Sequence, residues 1–165
     1  NYSPSLIRTM TTSLSDPSDI MKRILVGNVM GLSDIVDMMI KLSELPSVSI
    51  IILDSLTGAM NLTGAPGTKG RQRELFSTLE TLRKSVNQLD THVLMTDHSS
   101  RNWISGEQTP IGGNVLSHAV DSVVRADRLR NGENLVRIVT ERCAISETPP
   151  GIIVRVDSRG IRSIK

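Results

Sequence analysis

Asp54 ends the run Ser49-Ile50-Ile51-Ile52-Leu53-Asp54-Ser55, in which four apolar residues lead into an acid and a hydroxyl. Such a run reads as a buried strand, and in an open parallel sheet ligands bind beyond the carboxyl ends of the strands. An acid placed there can hold a water on Mg²⁺, which bridges nucleotide phosphates. The plainer alternative is a carboxylate that caps the next turn. An acid of this kind normally works beside a phosphate loop of the form G-x-x-x-x-G-K-[ST], and the 165 residues contain none. Gly64-Ala65-Pro66-Gly67-Thr68-Lys69-Gly70 comes nearest, but no Gly directly precedes Lys69 and no hydroxyl follows it. Pro66 also removes an N–H that a phosphate cradle would use. A flexible loop is the better account of that segment.

Two further polar segments belong with Asp54. Thr96-Asp97-His98 closes the next apolar run, His92–Thr96, and so falls at the same sheet edge. Pro110-Ile111-Gly112-Gly113-Asn114 opens a helix, where paired glycines let backbone N–H groups approach an anion.

The elements that must position these residues follow from pattern and punctuation. Ser3-Pro4 and Asp16-Pro17 each start a short helix, with a capping side chain before a proline. Ile24 to Val29 reads as a strand. Ser33 is the expected cap of a helix carrying Ile35, Met38, Met39 and Leu42 on one face and stopping at Pro46. Strand Ser49–Asp54 comes next, then a loop from Thr57 to Gly70. A long helix, Arg71 to Leu89, presents Leu75, Leu79, Leu82, Val86 and Leu89 to a core. After strand His92–Thr96 comes a polar loop, Asp97–Pro110, and a short helix, Gly113–Ala119. Strands Ser122–Leu129 and Leu135–Glu141 flank Asn131-Gly132, a strong hairpin signal, and Gly151–Val156 is the last expected strand. Alternation followed by a hairpin means an α/β fold, a mainly parallel sheet with antiparallel strands added at one side. Neither a repeat nor a boundary divides the chain, so one domain over 1–165 is expected.

Composition narrows the function classes. Hydrophobic residues make up 38%, and Tyr2, Phe76 and Trp103 are the aromatics, so the core is aliphatic. A formal net charge of +2 does not by itself point to nucleic acid; local clustering must do that. Cys143 alone excludes a disulfide framework and suggests a reducing compartment. No apolar run reaches membrane-spanning length, so no membrane partner is expected. The chain starts with Asn, and the missing phosphate loop suggests a partial gene.

In their order and spacing these segments resemble the RecA/RadA recombinase family, especially its archaeal and eukaryotic RadA type and paralogues, over essentially the whole chain. Tyr2-Ser3-Pro4-Ser5-Leu6-Ile7 looks like the segment just after that family's catalytic glutamate. Ile50-Leu53-Asp54-Ser55 looks like its Walker B strand, and Gly70-Arg71-Gln72 resembles the start of the helix after its first DNA-binding loop. Thr96-Asp97-His98 stands where the family usually has Thr-Asn-Gln, or Thr-Asn-His in some paralogues. Pro110-Ile111-Gly112-Gly113-Asn114 with His118-Ala119 is the most specific match.

The resemblance implies the fold, a RecA-like P-loop NTPase core without its phosphate loop, and a set of roles. Asp54 would hold the Mg²⁺-water shell, and Ser55 would support it. His98 would replace the glutamine that senses the γ-phosphate and relays nucleotide state to the DNA loop. His118 would meet nucleotide across a filament interface. For each histidine the alternative is a satisfied structural side chain. Glu141 falls near an acid of the family's ATP-cap segment. Two loops would face DNA, one carrying Lys69, Arg71 and Arg73, the other Arg101, Asn102 and Trp103, with Gly112, Gly113 and Asn114 following. Phosphates need cations and backbone amides, and an aromatic side chain can stack on bases. The alternative is a solvated charge cluster with one surface Trp. ATP and Mg²⁺ would be cofactors of the intact parent, neither bound tightly by this chain alone, which would not hydrolyse ATP. Partners would be single- and double-stranded DNA and other recombinase subunits, in the cytoplasm or nucleoid of an archaeon or the nucleus of a eukaryote. The rival readings are a non-enzymatic paralogue that modulates a recombinase filament, and a KaiC-like or helicase-type ATPase.

Overall fold

The computed structural model describes residues 2–12, 16–45, 47–63, 68–101, 108–110, 113–129, 134–144, 149–158 and 160–164. In chain order the elements are α1 (Pro4–Met10), α2 (Pro17–Lys22), α3 (Leu32–Leu42), β1 (Ile50–Leu53), α4 (Leu56–Asn61), α5 (Lys69–Leu89) and β2 (His92–Met95). They continue with β3 (Ser99–Arg101), β4 (Gln108–Pro110), α6 (Gly113–Ala119), β5 (Val123–Arg128), β6 (Leu135–Arg142), β7 (Ile152–Asp157) and β8 (Gly160–Ser163). Two compact units form, one from 27–120 and one from 1–26 with 121–165.

The 27–120 unit holds the core. Leu32, Ile35 and Met39 of α3, Leu56, Ala59 and Met60 of α4, Leu75, Leu79 and Leu82 of α5, and Leu116 of α6 are all buried together. The 3.6-residue period of α3 and α5 makes this possible, because it sets their aliphatic side chains on one face. Beneath the helices, β1 and β2 pair in parallel, with Ile50 opposite His92 and Leu53 opposite Met95. Ile51, Leu53, Val93 and Met95 pack against the core, as the two-residue period of a strand demands. Ile50, Ile52 and Leu94, on the other face, are each more than half exposed. The apolar run of β1 is thus buried on one side, because the helices among the described residues cover one face of the pair.

Several boundaries differ from the sequence reading. α3 starts at Leu32 with Gly31 as its cap position, so Ser33 lies inside the first turn. The capping comes from elsewhere: Leu32 N–H donates to Thr63 Oγ1 at 2.9 Å and Met30 N–H to Asp34 Oδ2 at 2.7 Å. Part of the expected loop after Thr57 is α4, capped by Ser55, whose Oγ accepts from Gly58 N–H at 3.1 Å. The polar stretch after Asp97 contains β3 and β4, paired antiparallel with Ser99 opposite Pro110. Residues 24–29 form no strand; no described strand pairs with them, and Leu25 and Val26 are exposed. α5 begins two residues early, at Lys69, with Thr68 as its cap.

The other unit is an antiparallel sheet in the order β5-β6-β7-β8, with α1 and α2. Ser3 and Asp16 cap the two helices as their sequences imply. β8 was not expected; it follows β7 and starts at Gly160, whose φ of +107° suits glycine. A Cβ on Gly160 would meet the Met10 side chain at 3.4 Å. β5 and β6 pair as a hairpin partner set, with Leu129 N–H donating to the Leu135 carbonyl at 2.9 Å, while Asn131, Gly132 and Pro46 lie outside the described residues. Among the described strands β1 and β2 pair in parallel, and the remaining pairs, β3–β4 and β5-β6-β7-β8, are antiparallel.

Candidate functional site

The carboxyl edge of β1–β2 brings Asp54, Ser55, Thr57, Thr96, Asp97 and His98 together. The ladder continues past the strands: Thr96 N–H donates to the Leu53 carbonyl and Leu56 N–H to the Thr96 carbonyl, both at 3.0 Å. These two bonds set Asp54 and Thr96 side by side. Thr96 Oγ1 then donates to Asp54 Oδ1 at 2.6 Å. That bond is the largest of several contributions that hold the Asp54 carboxyl below the usual carboxylate range, the attraction of His98 being the smallest. Asp54 is exposed, an acidic side chain at the edge of the pair. The Asp54–Ser55 peptide is cis.

Ser55 and Thr57 have local duties. Ser55 Oγ caps α4, which is a structural use of the hydroxyl expected to support Mg²⁺. Thr57 is buried; its hydroxyl donates to Asp97 Oδ1 and accepts from His98 N–H at 3.1 Å. Sequence reasoning missed Thr57 because it placed that residue in a loop. A serine followed by Leu-Thr-Gly-Ala-Met, with its apolar residues spaced for one helical turn, was the signal available.

The donor set fits Mg²⁺ in one specific way. No group of three or more His, Cys, Asp or Glu among the described residues can enclose a metal. Mg²⁺ does not need such a cage: it keeps several waters and takes one or two carboxylates plus phosphate oxygens. A single exposed carboxylate at a strand end meets that requirement.

The remaining candidates are spread more widely. His118 is exposed in the last turn of α6, the helix anchored to the core by Leu116 and packed on α5 and β4. Glu141 belongs to the other unit, on β6, and pairs with Arg125 at 2.8 Å; Arg125 also reaches Asp127 at 2.9 Å. Lys69 and Arg73 are exposed at the start of α5. Arg71, between them, is 8% exposed and donates through Nη2 to Asn61 Oδ1 at 3.3 Å, with Nε buried and unpaired. Its position ties the end of α4 to the start of α5 instead of facing solvent. Asn102, Trp103 and Gly112 lie outside the described residues, as does the 64–67 segment. Arg101 is placed as the last residue of β3, and Gly113 and Asn114 as the first two of α6, by their backbone.

A family model described as Rad51 matches residues 14–163. The chain belongs to the Rad51 family. It is 32% identical, over 102 residues, to the DNA repair and recombination protein RadA of Methanocorpusculum labreanum. That match takes in 59% of this chain and 31% of the relative, so it extends over about a third of RadA's length. The RadB recombinase crystal structure superposes with a TM-score of 0.78 over 99% of this chain and 74% of that one, at 18% identity. The likeness to RadB is one of fold, and the architecture is accordingly RecA-like α/β. Among the described residues no helix is long and apolar enough to cross a membrane.

Proposed function

We propose that the chain is the carboxyl-terminal part of an ATP-dependent recombinase core, which binds single-stranded DNA during homologous recombination and repair. The observation that carries this reading is Asp54 at the carboxyl edge of β1, held ionised by Thr96, in a chain of the Rad51 family. Asp54 would hold Mg²⁺ through water, and Mg²⁺ with ATP would supply charge neutralisation at the β- and γ-phosphates. Ser55 keeps Asp54 at the head of α4. His98, two residues beyond the Thr96 that bonds Asp54, would respond to a phosphate. His118 presents its imidazole outward on α6, where a neighbouring subunit's nucleotide would meet it. Glu141, which pairs with Arg125, would be an acid of the family's ATP-cap segment. Both units belong, on this reading, to one ATPase core over 1–165, working among other recombinase subunits inside the cell.

Lys69 and Arg73 would take DNA phosphates, and the β3–β4 hairpin would carry Arg101, Asn102 and Trp103 to the bases, with Gly112, Gly113 and Asn114 at the return. A second reading, a non-catalytic paralogue that modulates a recombinase filament, is favoured by Asp97-His98 in place of the commoner Asn-Gln pair. In either case the sequence supplies neither a phosphate loop nor its Lys, so the chain alone does not turn over ATP. Titration of Trp103 fluorescence with single-stranded DNA at several salt concentrations tests the DNA assignment. A salt-dependent change is expected; none at any salt would refute it. ATP turnover by the purified chain, stimulated by DNA, would refute the assignment of catalysis to a larger parent.

A further inference from the structure

Three consecutive residues leaving β2 are held by two consecutive residues of α4. Thr96 accepts from Leu56 N–H through its carbonyl, Asp97 accepts from the Thr57 hydroxyl, and His98 N–H donates to the same Thr57 oxygen. Thr57 is 4% exposed, so water does not compete for that oxygen. A hydroxyl has one proton to give and lone pairs to receive. Its proton goes to Asp97, which orients the lone pair that receives His98. The other Asp97 oxygen, Oδ2, is buried without a partner, so what Asp97 contributes here is an acceptor, which a side-chain amide oxygen would also provide.

We propose that Thr57 is a positioning residue, which with Asp97 as its acceptor fixes where His98 sits and where the β3–β4 hairpin begins. Ser55 caps α4 beside Asp54, and Thr57, two residues on, holds Asp97 and His98, so Asp54 and His98 are joined through the start of that helix. The link to DNA rests on the reading under Proposed function; the positioning itself does not.

The test separates the two. Amide hydrogen exchange at His98 is measured by NMR in the 165-residue chain, with the Leu82 amide as a reference. Thr57→Val keeps the shape and removes the hydroxyl, and is expected to speed His98 exchange roughly fivefold to tenfold, the loss of one hydrogen bond. Asp97→Ala, which leaves α4 intact, is expected to speed it as well and serves if Thr57→Val does not fold. Thr57→Ser and Asp97→Asn are expected to stay within about twofold of the parent, since each retains its half of the bond. Unchanged exchange in Asp97→Ala or Thr57→Val overturns the proposal, and so does Asp97→Asn exchanging as fast as Asp97→Ala. In the second arm a deoxythymidine oligonucleotide is titrated against Trp103. A severalfold weaker response in Thr57→Val, restored in Thr57→Ser, supports the link to the hairpin, and an equal response in all three overturns that link. A parent chain that gives no response refutes the DNA reading and leaves the exchange measurement to decide the positioning.

Discussion

Replacing Thr63 by Val removes the acceptor that, among the described residues, receives the first N–H of α3. Gly31 has no side chain to cap with, and Ser33 is already inside the helix. Thr63, just past the end of α4, therefore accepts from Leu32 N–H at 2.9 Å and donates to the Ala59 carbonyl at 3.0 Å. Leu32 is fully buried at 0% exposure, so no water replaces the lost oxygen. A buried N–H left without a partner costs about 1–3 kcal/mol, and loss of a helix cap about 0.5–2 kcal/mol; both describe the same event here and are not added. About 2 kcal/mol is the expected destabilisation. With a denaturant slope of about 2 kcal/mol/M, the urea midpoint falls by about 1 M at constant slope. Thr63→Ser, which keeps the oxygen, should lose less than half of that. Exchange of the Leu32 amide should rise in Thr63→Val and stay slow in Thr63→Ser. If Thr63→Val melts with the parent, or if Thr63→Ser is as damaging as Thr63→Val, then Thr63 does not cap α3.

Two other outcomes follow from the site. The Thr96 hydroxyl lowers the Asp54 pKa, so the Asp54 contribution to stability is complete above the ordinary Asp value of about 3.9. It is lost as pH falls through the lower value in the folded chain. Thr96→Val should move the Asp54 carboxyl titration upward in an NMR pH series, and an unmoved titration would mean that the 2.6 Å contact does not stabilise the anion. Lys69 and Arg71 should separate in DNA binding. Lys69→Gln is expected to reduce the slope of log affinity against log salt by about 0.7, the value for one single-strand phosphate contact. Arg71→Met should lower the melting temperature and leave that slope alone, because Arg71 is buried against Asn61; the reverse result would put Arg71 on the DNA.

The site was legible where its order is written in the chain itself. Apolar runs ending in Asp54 and Thr96 locate two strand ends, and the parallel pairing of β1 with β2 brings those ends together. The long helix was legible too, since Leu75, Leu79 and Leu82 repeat at helical spacing. What escaped was order supplied by another element. The cap of α3 comes from Thr63, 31 residues away in sequence, and no local pattern around Ser33 announces it. Arg71 carries the same charge as its exposed neighbours Lys69 and Arg73, and Asn61 alone distinguishes it. β3, β4 and β8 have three or four residues each, too short for alternation to register. Ile24–Val29 failed in the opposite sense: its composition suits a strand, but a strand is defined by a hydrogen-bonded neighbour, and no described strand supplies one.

The geometry around Asp54 is local, joining two short segments of the chain. The bonds that set the edge run between residues 53–58 and residues 96–98: Thr96 N–H to Leu53, Leu56 N–H to Thr96, the Thr96 hydroxyl to Asp54, and Thr57 to Asp97 and His98. Ser55 closes the set by capping the helix that carries Thr57. Leu56, Ala59 and Met60 bury the same helix in the core. Leu56 and Thr57 are therefore the residues of α4 through which the Asp54 segment meets Thr96, Asp97 and His98. On the proposed reading, variants in the first turn of α4 should change Mg²⁺ affinity and the hairpin entrance together, while variants at Lys69 or Arg73 should change DNA affinity alone.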